Sequence, residues 1–196
     1  MCIRDRHNVV VEDEKYLSDL TRWATACQKN GSHLWMQINH PGRQAPKFNK
    51  EVVSASNVIL PIMKGMFKEP RPLEEAEIWE IIEGFGRTAL IAQKAGFKGV
   101  QIHGAHGYLV NQFLSTLTNL RTDKWGGSLE NRARFALEIY RNIREKVGKK
   151  FPIGIKINSA DFQRGAFTEE ESLQVCLLYT SPSPRDLSTS RMPSSA

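Results

Sequence analysis

Cysteine is scarce: Cys2, Cys27 and Cys176 are the only three in 196 residues, an odd number without paired spacing, so neither a disulfide framework nor a zinc knuckle is supported. Long apolar runs are missing. None approaches the roughly 20 residues of a membrane span, and the opening MCIRDR lacks the apolar stretch of a secretory signal, so a cytoplasmic chain without a membrane partner is expected. Despite a formal charge of +6, Lys and Arg are interleaved with acidic residues, as in EIYRNIREKVGKK, and form no basic block that would suit a nucleic acid. No G-x-G-x-x-G follows any of the strands predicted below, which weighs against a dinucleotide-binding doubly wound sheet.

What is present fits an ordinary globular domain, with 40% hydrophobic and 24% charged residues. The ends differ from the body. From residue 176 the texture turns to CLLYTSPSPRDLSTSRMPSSA, rich in Ser and Pro and without period, which cannot bury enough apolar surface to order itself. This tail and MCIRDR resemble translated adaptor sequence. The expected organisation is a non-native-looking leader over residues 1–7, a folded body over 8–175 and a disordered tail over 176–196.

Within the body, Leu17, Leu20, Ala24 and Cys27 recur at helical spacing, and Gly31 stands where a left-handed cap is wanted. HLWMQINH reads as a short buried strand stopped by Pro41 and Gly42, and the five prolines of residues 41–73 predict a long loop. Ile78, Ile81, Ile82, Phe85, Ala89 and Ala92 mark an amphipathic helix ending before Gly96. GVQIHGAHG supplies a second strand, followed by a polar loop as far as Gly126 and Gly127. Ser128 caps a further helix that ends near Gly148, FPIGIKIN is a third strand, and Thr168 with Glu171 forms a capping box that opens a last helix.

Alternating helices and strands predict an α/β fold with a parallel sheet. Each strand separates apolar from polar residues: Met36 and Ile38 against Gln37 and Asn39, Val100 and Ile102 against Gln101 and His103, and Ile153, Ile155 and Ile157 against Gly154, Lys156 and Asn158. A doubly wound sheet buries both faces and would show near-continuous apolar strands. A (β/α)8 barrel can turn polar residues inward and gathers its active site at the strands' C-terminal ends, the address of Gln37, His103 and Lys156.

His103 ends a strand, with His106 and Tyr108 just beyond it. A lone histidine there could simply satisfy backbone carbonyls. As H-x-x-H the pair could ligate a metal in a barrel hydrolase or lyase, although no Cys, Asp or Glu lies nearby in sequence to complete a shell. Two imidazole N–H donors aimed at one carbonyl oxygen would instead stabilise a developing enolate, with Tyr108 as proton source. Lys156 could set a cation beside an electron-rich ring and Gln37 offers an amide donor and acceptor together.

WMQINHPGRQ, then GVQIHGAHGYLVNQFLSTLTNLRTDKWGGSLENRARFALEIYRNIRE, then FPIGIKIN resemble the old yellow enzyme family of FMN-dependent NAD(P)H oxidoreductases. The resemblance covers essentially the whole body. It implies a partial (β/α)8 TIM barrel, with these strands as the third to fifth, and a flavoprotein that passes hydride from NAD(P)H through FMN to the C=C bond of an α,β-unsaturated carbonyl. It further implies that Gln37 and Lys156 bind the flavin, that His103 and His106 bind the substrate carbonyl, and that Tyr108 donates a proton; no metal site follows. The expected partner is a small enone-type substrate, and a homo-oligomeric full-length parent is compatible with the resemblance. Two departures bear on function: the strands that would complete the barrel and its FMN-phosphate site are missing, which leaves an inactive fragment as an alternative, and Lys stands at 156 where the family carries Arg. Arg43 matches the motif and is assigned no role.

Overall fold

The computed structural model describes residues 9–60 and 67–180; the expected leader, and the tail from residue 181, lie outside them. A 3-10 turn, Glu14–Tyr16, leads into α1, Leu17–Gln28. Gly31, at φ 85°, turns the chain into β1, Trp35–Ile38. After α2 (Glu75–Lys94) and β4 (Gly99–Gly104) come α4 (Leu129–Val147), β5 (Ile153–Ile157) and α5 (Glu169–Thr180). The strands form a parallel sheet in the order β1-β4-β5, with Gln37 opposite Gln101 and His103 opposite Lys156.

One face of the sheet makes the core. Ile38, Val100 and Ile102 are buried against Ile78, Ile82 and Phe85 of α2 and Ile139 and Ile143 of α4. The other face carries Trp35, Gln37 and Lys156, all exposed. Helices on one side and polar side chains on the other are the cross-section of a barrel wall, and among the described residues the wall is an arc that does not close.

Two stretches expected as loops are ordered. Residues 41–73 contain a 3-10 turn at Gly42–Gln44 and a parallel strand pair, β2 (Val53–Ser54) with β3 (Arg71–Pro72). Both strands are too short for any hydrophobic period to register. The supposed polar loop after β4 opens with α3, Leu109–Leu114, every residue of which is buried. Six residues hold fewer than two helical turns, so amphipathicity could not reveal it.

Helix α5 also continues through residues 176–180, which the sequence assigns to the tail. Its end is anchored by tertiary contacts: the Tyr179 hydroxyl donates to Ile153 O at 2.8 Å, and its ring meets Tyr140 edge-on at 4.8 Å. The start of α5 matches expectation, with Glu171 N donating to Thr168 Oγ1 at 3.2 Å and Thr168 N to the Glu171 carboxylate at 3.3 Å. Arg132, buried in α4, joins three helices by pairing with Glu171 and donating to Leu114 O and Gly127 O.

Candidate active site

The polar face is layered. At its lowest level Trp35 lies across Gly99 and Gly154; a β-carbon on Gly99 would come within 2.6 Å of the indole and one on Gly154 within 3.3 Å. These two glycines give the ring its room. One level up, the Gln37 amide donates to Gln101 Oε1 at 2.7 Å. Above that, His103 and Lys156 are paired in register at the strand ends.

Three rings converge at this upper level. The His103 ring centroid lies 5.1 Å from that of His106 at 89° and 4.9 Å from that of Tyr108 at 65°, both edge-to-face. Residues 103 to 108 thus fold back over the strand end, and they do so through positive φ at His106 (59°) and Gly107 (75°).

No ring nitrogen of His103 or His106, nor the Tyr108 hydroxyl, makes a hydrogen bond to another described residue; His103 Nδ1 is among the buried polar atoms without a partner. His103 therefore does not serve to cap a backbone carbonyl. Its imidazole is pushed down to about 4, chiefly by burial and then by the Coulombic influence of His106 and Lys156, so near neutral pH it is an uncharged N–H donor. Lys156 is exposed and, among the described residues, forms no ion pair. His103 and His106 gather no group of three His, Cys, Asp or Glu side chains among the described residues, so the metal reading finds no ligand set there.

A cleft of about 370 Å³ follows the free edge of β1 and is lined by Trp35, Gln37, Asn39, His103 and Tyr108. The residues present suit a flavin on this face. Gln37 has the amide and Lys156 the uncommitted cation that the polar edge of such a ring takes, on the strands that flank β4 and on the side away from the core. The structure brings Gln37, His103, His106, Tyr108 and Lys156, the five residues singled out from the sequence, to one mouth of the sheet.

It also shows polar residues that sequence reasoning passed over. Gln44, Asn111 and Gln112 lie around the His106–Gly107 turn together with Asn158. Asn158 had a signal, being on the polar side of FPIGIKIN. The others lie within the quoted motifs, but nothing in their spacing says where they point.

A polar-lined mouth on the open side of a parallel β/α wall defines the class, part of a (β/α) barrel with its candidate site at the C-terminal ends of the strands. The chain belongs to the NADH:flavin oxidoreductase / NADH oxidase family, whose profile matches residues 5–186. That family sets the cofactor as FMN, with NAD(P)H as reductant. The chain is 46% identical over 172 residues to the NADH-dependent flavin oxidoreductase nadA of Aspergillus parasiticus, covering 86% of this chain and 38% of that protein. Among solved structures, a 2-naphthoyl-CoA reductase complex superposes with TM-score 0.81 at 34% identity, covering 85% of this chain and 27% of that one. Morphinone reductase superposes with TM-score 0.73 at 29% identity, covering 83% and 48%. The chain thus spans less than half the length of each. No helix among the described residues is long and apolar enough to cross a membrane.

Proposed function

We propose that the parent enzyme is an ene-reductase, which reduces the C=C bond of an α,β-unsaturated carbonyl compound at the expense of NAD(P)H. The observation that carries this is the convergence of His103, His106 and Tyr108, three polar rings with no hydrogen bond to the described protein, above a face bearing Gln37 and Lys156. Gln37 and Lys156 would hold FMN, which when bound relays hydride from the nicotinamide to the substrate.

The chain's own residues do the rest. N–H groups of His103 and His106 bind the substrate carbonyl oxygen and stabilise the negative charge that grows on it as the β-carbon receives hydride. Because burial keeps His103 uncharged, it donates without holding a formal charge against the cationic Lys156. Tyr108 holds the proton that passes to the α-carbon, so hydride and proton together saturate the bond. The full-length protein, recovered from the neighbouring genomic sequence, is expected to purify yellow and to oxidise NADH or NADPH when 2-cyclohexenone is added. Colourless protein that stays inert after FMN is supplied overturns the proposal.

A second reading concerns the chain by itself. The outer edges of β1 and β5 are unpaired among the described residues, and exposed edges with half a core favour weak flavin retention. On this reading the melting temperature of the chain is the same with and without FMN, whereas a clear upward shift shows that the site is sufficient as it stands.

A further inference from the structure

The aim of His106 poses a physical problem. Its φ of 59° lies in the left-handed region that a residue with a β-carbon avoids, Gly107 follows at 75°, and the imidazole makes no hydrogen bond to a described residue. Something other than the ring must hold the turn.

Four side-chain amides hold it. His106 N–H donates to Asn158 Oδ1 at 3.0 Å, and His106 O accepts from Gln44 Nε2 at 2.7 Å. Gly107 N–H donates to Asn111 Oδ1 at 2.8 Å, and Gly107 O accepts from Gln112 Nε2 at 2.6 Å. Every backbone donor and acceptor of the two residues is thus taken by an amide, and the amides come from three parts of the fold: the turn after β1, helix α3 and the end of β5.

The amides are themselves braced. Asn158 Nδ2 donates to Asp161 at 2.9 Å and Asn111 Nδ2 to the same carboxylate oxygen at 3.3 Å. Buried Gln112 accepts at Oε1 from Arg43 N at 3.1 Å and from Ser54 Oγ at 2.8 Å. An amide suits this task because it offers a donor and an acceptor at once and carries no charge, so it can bind a peptide group without disturbing the neighbouring imidazoles.

We infer that Gln44, Asn111, Gln112 and Asn158 are positioning residues that clamp the His106–Gly107 backbone and thereby set the His106 imidazole against His103. Fixing φ at residue 106 fixes the direction of its Cα–Cβ bond, so the clamp decides whether two imidazole donors point at one oxygen. Asn158 follows directly on β5, two residues beyond Lys156, so it also ties the spacing between the cation and the His106 donor to the end of that strand. Its catalytic meaning rests on the ene-reductase reading; the clamp itself does not.

Two measurements test it. In the isotope-labelled 196-residue chain, Asn158→Ala should speed hydrogen exchange of the His106 amide at least tenfold and Asn111→Ala that of Gly107, while core amides of α2 keep their rates. In the flavin-loaded full-length enzyme, Gln44→Leu should slow enone reduction by tenfold to a hundredfold and leave reduction of the flavin by NADH within twofold; Gln44→Lys, which keeps a donor for His106 O, should restore most of the rate. Unchanged exchange at His106 in Asn158→Ala overturns the clamp. Equal losses in both half-reactions for Gln44→Leu, with no rescue by lysine, overturn its positioning role. Should the wild-type enzyme bind no FMN and reduce no enone, the ene-reductase reading falls and the exchange rates still decide whether the amides hold the turn.

Discussion

Trp35 lies over Gly99, so close that a β-carbon on the glycine would come within 2.6 Å of the indole. The indole is thereby seated on the glycine backbone of the neighbouring strand, one level below the Gln37–Gln101 pair. Gly99→Ala forces the indole off this seat. A loss of about 1–3 kcal/mol is expected from overpacking, read as a lower urea midpoint together with a red-shifted tryptophan emission. An unchanged spectrum would mean that the indole does not rest there.

Gly42 presents a sharper version of the same conflict. Its φ is 56°, and an added β-carbon would fall 2.1 Å from Gln112 Oε1. Gly42→Ala combines a disfavoured backbone with displacement of a buried amide that holds Arg43 N, Ser54 and Gly107. The expected cost is at least about 2 kcal/mol in chemical denaturation, larger than that of Gly31→Ala, where φ is also positive but nothing lies within 4 Å.

Acid should begin to weaken the fold at a higher pH than the carboxylates alone would dictate. Burial pushes the His40 imidazole from 6.5 down to about 3, and burial followed by His106 and Lys156 pushes His103 down to about 4. The unfolded chain then binds more protons than the folded one below pH 6.5, so these contributions are complete above that value and are lost as pH falls from 6.5 towards about 4 for His103 and about 3 for His40. Urea midpoints at pH 7.5 and 4.5 measure the slope. His40→Asn keeps an acceptor for Gly42 N–H, which His40 Nδ1 binds at 3.0 Å, and should flatten the slope; an unaltered slope assigns it elsewhere.

The roles at the mouth separate kinetically. In the flavin-loaded full-length enzyme, Tyr108→Phe removes the proton held for the α-carbon and should slow enone reduction by roughly 10²–10⁴-fold, with flavin reduction by NADH unaffected. Lys156→Met should instead weaken FMN retention. Stopped-flow of the two half-reactions distinguishes them. A Tyr108→Phe enzyme with a normal oxidative rate would remove the tyrosine from the chemistry.

Much of this was readable from sequence because it depends on local rules. Ser128 caps α4, accepting from Asn131 N at 3.4 Å, and Thr168 and Glu171 box the start of α5. Strand alternation separated Gln37 and Lys156 from the core. Helix α3 and the β2–β3 pair escaped notice because periodicity needs more than two to six residues to register. The last turn of α5 escaped because Ser and Pro downstream dominate the composition of that stretch, while its order derives from Tyr179 reaching Ile153 O.

The sequence by itself determined the alternation of helices and strands, the polar face and the candidates His103, His106 and Tyr108, since period, caps and a long specific motif are carried by neighbours along the chain. Only the tertiary structure decided how those three rings meet. Their geometry depends on two residues of positive φ held by amides from positions 44, 111, 112 and 158, and contacts across such separations leave no period in a sequence.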